Sequence, residues 1–104
     1  METTEEASEP PPERLAAEEV LARLQELPGW ELQGRTTLWR RGSYSTVLEA
    51  VMAAAIVAFT AVTRQHPVGI RLNNNFLYLS LTTPAAGGLT AEDFDLAWIV
   101  NLVL

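Results

Sequence analysis

The sequence predicts an α+β fold in which a four-stranded antiparallel sheet carries helices packed on one face, in the order αββαββα. Three stretches have helical spacing or composition, and between them lie two pairs of short segments with the alternation typical of strands. A chain of 104 residues has room for one such domain. We expect that domain to span residues 13–104, after a polar, acidic and proline-rich tail, residues 1–12, that is predicted to be disordered.

The first helix is predicted in "ERLAAEEVLARLQEL", residues 13–27, where leucine and valine recur at helical spacing. Pro12 suits its first turn, since proline lacks only an N–H that has no partner there. Pro28 cannot continue the helix, so we expect it to end at this point.

The first pair of strands follows directly. Trp30 and Leu32 fit one short strand, and Gly34 marks a turn. Residues Leu38–Tyr44 fit a second strand, which we expect to run antiparallel to the first.

A long helix is predicted from Val47 to about Thr63, because this stretch is rich in alanine and has no glycine or proline. Thr46 has the spacing to Glu49 of a capping box. The helix is apolar almost all round, and such a helix is buried on more than one side. We therefore expect the sheet against one side and a second subunit against the other.

The second pair of strands is predicted from "GIRL", residues 69–72, and "FLYLSLTT", residues 76–83, with "NNN" as the turn between them. Leu77, Leu79 and Leu81 alternate with polar and aromatic residues, so the leucines should face the helices.

The final helix is predicted over residues 91–104, since Thr90 suits its N-cap and Asp93 stands three residues on. Acidic side chains in the first turn also suit the positive end of the helix dipole.

The composition excludes several kinds of chemistry. There is no cysteine, which excludes thiolate sites, and all seven basic residues are arginine, which excludes a Schiff-base lysine. His66 is the single histidine, which excludes a histidine-rich metal site. We therefore expect no cofactor and no metal. Residues 1–26 contain eight glutamates and two arginines and so carry the whole net charge of −6, while the rest of the chain is neutral. This balance argues against nucleic-acid binding, which needs clustered positive charge.

We therefore expect only a few basic side chains to be available for contacts with a partner protein. Arginine offers bidentate contacts to carboxylates, so the best polar candidates for an acidic partner are Arg40, Arg41, Arg64 and Arg71. The sequence begins with acidic residues and not with a basic or apolar leader, and its longest apolar run is too short for a bilayer span, so we expect a cytoplasmic location and no membrane contact.

Several short motifs, taken together, resemble one known family. They are "LPGW" with Gly29 and Trp30, "VA" at residues 57–58 in the long helix, "HP" at residues 66–67, and "GGLTAEDFDLA", which holds Gly88, Leu89, Thr90 and Asp93. From about Leu15 to Leu102 the chain is similar to the pterin-4a-carbinolamine dehydratases. The resemblance implies the fold predicted above, with dimers that pair through edge strands and tetramers that form through helices.

The resemblance also implies a degenerate active site. The family's reaction uses E-x-x-x-H-H-P near the end of the long helix and T-H-[DE] after the last strand, with the histidines moving protons. A gapless match puts His66 on the first histidine, Pro67 on the second, Val62 on the acid and Pro84 on the third histidine. A local match of "QHP" instead puts Gln65 and His66 on the first two histidines and Ala61 on the acid, with one residue inserted near "NNN". In both registers we expect no catalytic residue, with His66 vestigial.

A family member without its catalytic groups suggests a binding role. The acidic extension, degenerate site and arginine- and alanine-rich composition resemble the subfamily of RuBisCO assembly factors encoded with α-carboxysome genes. That likeness implies a non-catalytic chaperone for the RuBisCO large subunit, forming a homodimer or a tetramer and associated with the carboxysome. The alternatives are an active or residual 4a-hydroxytetrahydrobiopterin dehydratase and a protein-binding module of the dimerisation-cofactor type.

Overall fold

A computed structural model describes residues 13–104, so the tail predicted at residues 1–12 and the role of Pro12 lie outside the described part of the chain. In chain order the elements are helix α1 (Ala17–Leu24), strands β1 (Glu31–Gln33) and β2 (Thr37–Ser43), helix α2 (Val47–Thr63), strands β3 (Gly69–Asn73) and β4 (Phe76–Leu81), a 3₁₀ turn (Pro84–Ala86) and helix α3 (Ala91–Val103).

The four strands form one antiparallel sheet in the spatial order β1-β2-β4-β3. The two predicted hairpins are present, and they join through β2 and β4, where Leu38 lies opposite Leu81 and Arg40 opposite Leu79. The predicted fold class is therefore confirmed, with a short 3₁₀ turn added before the last helix.

The inner face of the sheet is built from leucines. Leu38, Leu77, Leu79 and Leu81 are each at most 2% exposed, as the alternation along β4 predicts. Burying one leucine side chain contributes about 1.5–3 kcal/mol to folding, so this face supplies much of the core. The helices cover it with Ala50, Ala53, Val57 and Ala61 from α2 and with Phe94, Leu96, Ala97 and Val100 from α3.

Helix α1 is shorter than predicted at both ends. It begins at Ala17 because the backbone before it is extended, with the Leu15 N–H donating to the carbonyl of Leu89 at 2.8 Å. It ends at Leu24, after which the Leu27 N–H donates to the Leu24 carbonyl at 3.0 Å and closes a tight turn. Tertiary contacts to the loop before α3 therefore replace the outer turns of the predicted helix.

Helix α2 has the predicted bounds, and its Thr46 hydroxyl accepts from the Glu49 N–H at 3.1 Å. The Glu49 carboxylate accepts in turn from the Ser45 N–H at 3.1 Å, one residue earlier than a capping box requires. One side of α2 packs on the sheet, while the other exposes large apolar side chains, including Phe59 at 72%. Within residues 13–104, no helix combines the length and the hydropathy that crossing a bilayer would require.

Candidate functional site

The end of helix α2 turns His66 towards the protein interior. Gln65 has a left-handed backbone (φ 54°), and its N–H donates to the Val62 carbonyl at 3.0 Å. The His66 N–H donates to the Ala61 carbonyl at 3.0 Å. These two bonds and the left-handed residue form a Schellman motif, which ends the helix and reverses the chain. His66 is consequently buried, although it follows the last helical turn.

Both ring nitrogens of His66 lie against acceptors of the protein itself. Nδ1 is 2.7 Å from the carbonyl oxygen of Pro67, and Nε2 is 2.9 Å from Oδ1 of Asp93. The side chains of His66 and Asp93 are 4% and 0% exposed. Nε2 and Oδ1 have no other hydrogen-bond partner among the described residues, so each depends on the other.

Asp93 holds this arrangement from the start of helix α3. Its Oδ2 accepts from the Thr90 N–H at 2.9 Å, which completes the predicted capping box, and from the hydroxyl of Thr83 at 2.6 Å. Thr83 stands at the neck of the loop before α3, where its N–H donates to the Gly88 carbonyl at 3.1 Å. One buried carboxylate therefore joins the ends of α2 and β4 to the start of α3.

These contacts limit what the imidazole can do. A carbonyl oxygen only accepts, so Nδ1 must carry a hydrogen that it donates to Pro67. Nε2 faces Oδ1 of Asp93 at 2.9 Å and has no other partner among the described residues. The ring therefore offers no free lone pair or N–H to a bound molecule and works as a bridge inside the fold.

The positions aligned with the family's other catalytic groups face outwards. Val62 is 72% exposed, and Pro67 and Pro84 are exposed as well. In the second register the acid position is Ala61, which is 2% exposed, and the first histidine position is exposed Gln65. In neither register does an aligned position place a titratable side chain beside His66, and the carboxylate that does lie there, that of Asp93, comes from the start of α3.

The cavity at this point is small. Thr63, Arg64, His66 and Glu92 line a depression of about 200 Å³, whereas pockets for small molecules usually measure about 300–1,000 Å³. A larger cavity of about 790 Å³ lies beside α1 and does not include His66. In residues 13–104 there is no cluster of three or more histidine, aspartate or glutamate side chains that could hold a metal ion.

The four candidate arginines lie on different surfaces. Arg40 points to the helix side, where its Nη1 donates to Oδ1 of Asn101 at 2.8 Å. The same oxygen accepts from Nε1 of Trp30 at 3.0 Å, and Nδ2 of Asn101 donates to the carbonyl of Pro28 at 2.9 Å. Arg40 thus ties the end of α3 to the sheet and is not free for a partner.

The other three are exposed. Arg64 follows the end of α2, while Arg41 and Arg71 lie on the face of the sheet that the helices of residues 13–104 leave open. Arg41 and Arg71 stand opposite Tyr78 from its two neighbouring strands, so the sheet brings these two together and separates them from Arg40.

Comparison with known proteins identifies the fold and the family. The family model for pterin 4 alpha carbinolamine dehydratase matches residues 13–103. The chain belongs to the pterin 4 alpha carbinolamine dehydratase family. Within that family it is 32% identical to a protein of Chloroflexus aggregans over 88% of this chain and 97% of the relative, and 38% identical to one of Thermomicrobium roseum over 81% and 89%. Both carry the name "Putative pterin-4-alpha-carbinolamine dehydratase".

A solved structure has the same dehydratase fold. The protein described as a transcriptional coactivator/pterin dehydratase from Brucella melitensis superposes with a TM-score of 0.80, at 25% identity, over 86% of this chain and 97% of its own. The agreement over nearly the whole of both chains confirms the architecture that the dehydratase resemblance implied.

The contact between His66 and Asp93 was not predicted from the sequence. Asp93 was assigned only as a helix-capping residue, and Thr83 had no assigned role. The dehydratase motif "GLT-x-x-D" did mark Asp93, but a capping aspartate has two carboxylate oxygens, and capping occupies one. A capping aspartate that is also part of a family motif is the signal that could have indicated a second hydrogen-bond partner for its carboxylate.

Proposed function

We propose that the chain is a non-catalytic member of the dehydratase family that acts by binding other proteins. The observation that carries this proposal is the position of His66, whose ring is buried with both nitrogens against Pro67 and Asp93. Dehydration of a carbinolamine needs a group that takes a proton from nitrogen and a group that helps hydroxide to leave. The only imidazole in the chain is unavailable for either step.

The replaced positions support the same proposal. Valine or alanine at the acid position and proline after "TT" cannot exchange protons. One general acid or base contributes about 10²–10⁴ in rate, so the loss of several would remove useful dehydratase activity.

The binding role we propose is that of an assembly chaperone for the RuBisCO large subunit, associated with the α-carboxysome. The support is the likeness to that subfamily in three features, which are the acidic N-terminal extension, the degenerate site and the arginine- and alanine-rich composition. The chaperone would stabilise large-subunit dimers or help them to assemble into the complete enzyme.

Self-association is part of the proposal. Leu48, Met52, Ile56, Phe59 and Val62 recur at helical spacing on α2 and are each more than 40% exposed. An exposed apolar stripe of this kind is typical of an interface between subunits. Strand β3, exposed along its whole length at the edge of the sheet, offers a second contact for a homodimer.

Co-expression with a carboxysomal RuBisCO tests the proposed role. Bacteria that produce the large and small subunits with this chain should yield more soluble, assembled enzyme than bacteria that produce the subunits alone. A His66→Ala chain, which should be poorly folded, is the negative control, because only the folded chain should raise the yield of assembled enzyme. Equal yields of assembled enzyme with and without the wild-type chain would reject the chaperone role.

A second candidate has support from the comparisons. The curated relatives bear the name of the enzyme, and the Brucella melitensis protein is described as both a coactivator and a dehydratase. Residual dehydratase activity would appear as turnover of a 4a-hydroxytetrahydropterin by the purified chain. If the chain is a binding module of the dimerisation-cofactor type, mass spectrometry of proteins captured from native lysate would identify its partner. RuBisCO would then be absent from the captured proteins.

A further inference from the structure

The face of the sheet that no helix covers carries aromatic side chains and arginines side by side. Trp39 and Arg41 come from β2, Tyr78 and Phe76 from β4, and Arg71 from β3. We call these five residues the arginine–aromatic face. Both arginines are exposed, and the three rings are half-buried.

The rings hold the two guanidinium groups in place. The Arg71 guanidinium carbon lies 4.8 Å from the centre of the Tyr78 ring, and that of Arg41 lies 5.5 Å from the centre of the Phe76 ring. The centres of the Trp39 and Tyr78 rings lie 6.1 Å apart, so Trp39 packs against Tyr78 from the β2 side. A guanidinium stacked on a ring keeps its N–H edge free and loses less entropy when it binds a carboxylate.

A depression interrupts this face beside the stacked rings. It measures about 260 Å³, and its lining includes Trp39 and Tyr78 together with Ser80 and Gly69, which continue the row of Trp39 across the sheet. Gly69 leaves space at the floor for the Ser80 hydroxyl, which a Cβ at that position would displace. The depression has room for an aliphatic side chain of an extended partner segment, and a carboxylate two residues away on the same side of that segment meets Arg71.

The charge of this face is opposite to that of the chain. The protein carries a net charge of −6, yet Glu31 is the one acidic residue in the four strands, and it stands opposite Trp39 at the β1 edge of the same face. Arg41 and Arg71 therefore form a positive patch with no carboxylate between them. Such a patch favours a negatively charged partner and disfavours a two-fold contact in which it would meet the same patch of a second copy.

We propose that the arginine–aromatic face binds an extended acidic segment of a partner protein. The two arginines form charge-assisted hydrogen bonds to carboxylates of the segment, and an aliphatic side chain on the same side of the segment occupies the depression. This inference rests on the proposed function, because the segment would belong to the protein whose assembly the chain assists.

NMR titration of the full-length protein tests the face without any client. The probe is the eight-residue peptide Glu-Ser-Val-Ser-Glu-Ser-Val-Ser, whose glutamates and valines point to the same side of an extended chain, and the same peptide with lysine for glutamate is its control. We expect shifts of the Arg41 and Arg71 side-chain Nε–H signals with the acidic peptide only, and weaker binding at high salt. Shifts confined to other surfaces, or none, would overturn the proposal.

Substitutions measure how much the two arginines contribute to the affinity for the acidic peptide. The double variant Arg41→Gln/Arg71→Gln should bind the acidic peptide at least about tenfold more weakly. Arg14→Gln/Arg35→Gln, which changes the net charge equally at exposed arginines off the strands, should bind like the wild type. Equal weakening by both double variants would mean nonspecific attraction and would contradict the proposed face. The chain's own acidic segment is a rival occupant of the face. Replacing Glu5, Glu6 and Glu9 by glutamine tests it. If the Arg41 and Arg71 Nε–H chemical shifts change in that variant without peptide, the assignment of the face to a partner is overturned.

Co-expression with RuBisCO separates this inference from the proposed function. If the wild-type chain raises the yield of assembled enzyme and the Arg41→Gln/Arg71→Gln chain does not, both proposals are supported. If both chains raise the yield equally, the chaperone role stands and the face is wrong. If the wild-type chain has no effect but the peptide binds at the face, the chaperone role fails and the acidic-segment site stands.

Discussion

His66 is the only imidazole in the chain, and its surroundings decide whether it can act on a bound molecule. Its ring bridges the carbonyl of Pro67 and the carboxylate of Asp93, and the contact with Asp93 is 2.9 Å long. Asp93 is completely buried and also binds Thr83 and Thr90. His66 thus has a structural use, because its ring is the partner of a buried carboxylate that caps the last helix.

Replacing His66 should destabilise the fold. The His66→Ala variant leaves Oδ1 of Asp93 buried without a partner, and breaking a buried pair in this way costs about 3–5 kcal/mol. Urea unfolding followed by circular dichroism measures the loss. Arg64→Ala, at an exposed neighbouring position, should change the free energy of unfolding by less than about 0.5 kcal/mol.

A double-mutant cycle checks that the cost comes from the pair. With Asp93→Asn as the second substitution, we expect a coupling free energy above about 1 kcal/mol between the two positions. Additive effects would show that His66 stabilises the fold by packing alone and that the contact with Asp93 contributes nothing.

At the scale of the elements, the sequence predicts most of what forms and little of how the elements meet. The bounds of α2 and the alternation along β4 are visible because each follows from a local rule of composition or spacing. The first turn of α1 is lost because Leu15 binds the carbonyl of Leu89, which is distant in sequence. The partner of His66 is hidden for the same reason, since no local pattern indicates that the ends of α2 and α3 come together.

The end of helix α2 offers a prediction about local strain. Gln65 adopts a left-handed backbone, which costs a non-glycine residue about 1–2 kcal/mol. The Gln65→Gly variant should therefore raise the free energy of unfolding, by about 1 kcal/mol once the entropy of glycine is included. Differential scanning calorimetry would record this as a higher Tm.

A matched glutamine provides the control for this strain. Gln25 follows the end of α1 in a right-handed conformation (φ −63°), so Gln25→Gly should lower the free energy of unfolding by about 0.5–1 kcal/mol. If both glycine variants are destabilised, the left-handed conformation of Gln65 carries no strain in solution.

At the scale of the whole molecule, the helix side and the sheet side present different surfaces. Helix α2 exposes an apolar stripe, while the open side of the sheet carries arginines on aromatic rings. The apolar side suits a second copy of the chain, and the charged side suits a different protein. The sequence predicts the stripe, because α2 is apolar almost all round, but the pairing of Arg41 and Arg71 across β4 depends on the order of the strands.

Phe59 tests the role of the stripe in self-association. The side chain is 72% exposed, so Phe59→Glu should leave the fold intact and reduce the assembly by weakening one interface. Sedimentation velocity would detect a smaller species than the wild type forms. Leu21→Glu, at a residue of α1 that is 54% exposed, is the control and should sediment like the wild type. Identical sedimentation of the Phe59→Glu and wild-type proteins would exclude the stripe as an interface.

The central claim is that this member of the dehydratase family binds and does not catalyse. The most direct test is the rate at which a 4a-hydroxytetrahydropterin loses water in the presence of the purified, folded chain, with a relative that retains all three histidines as the positive control. We expect a rate equal to that in buffer, both for the wild type and for a His66→Gln variant. Dehydration that the wild type accelerates and the His66→Gln variant does not would contradict it.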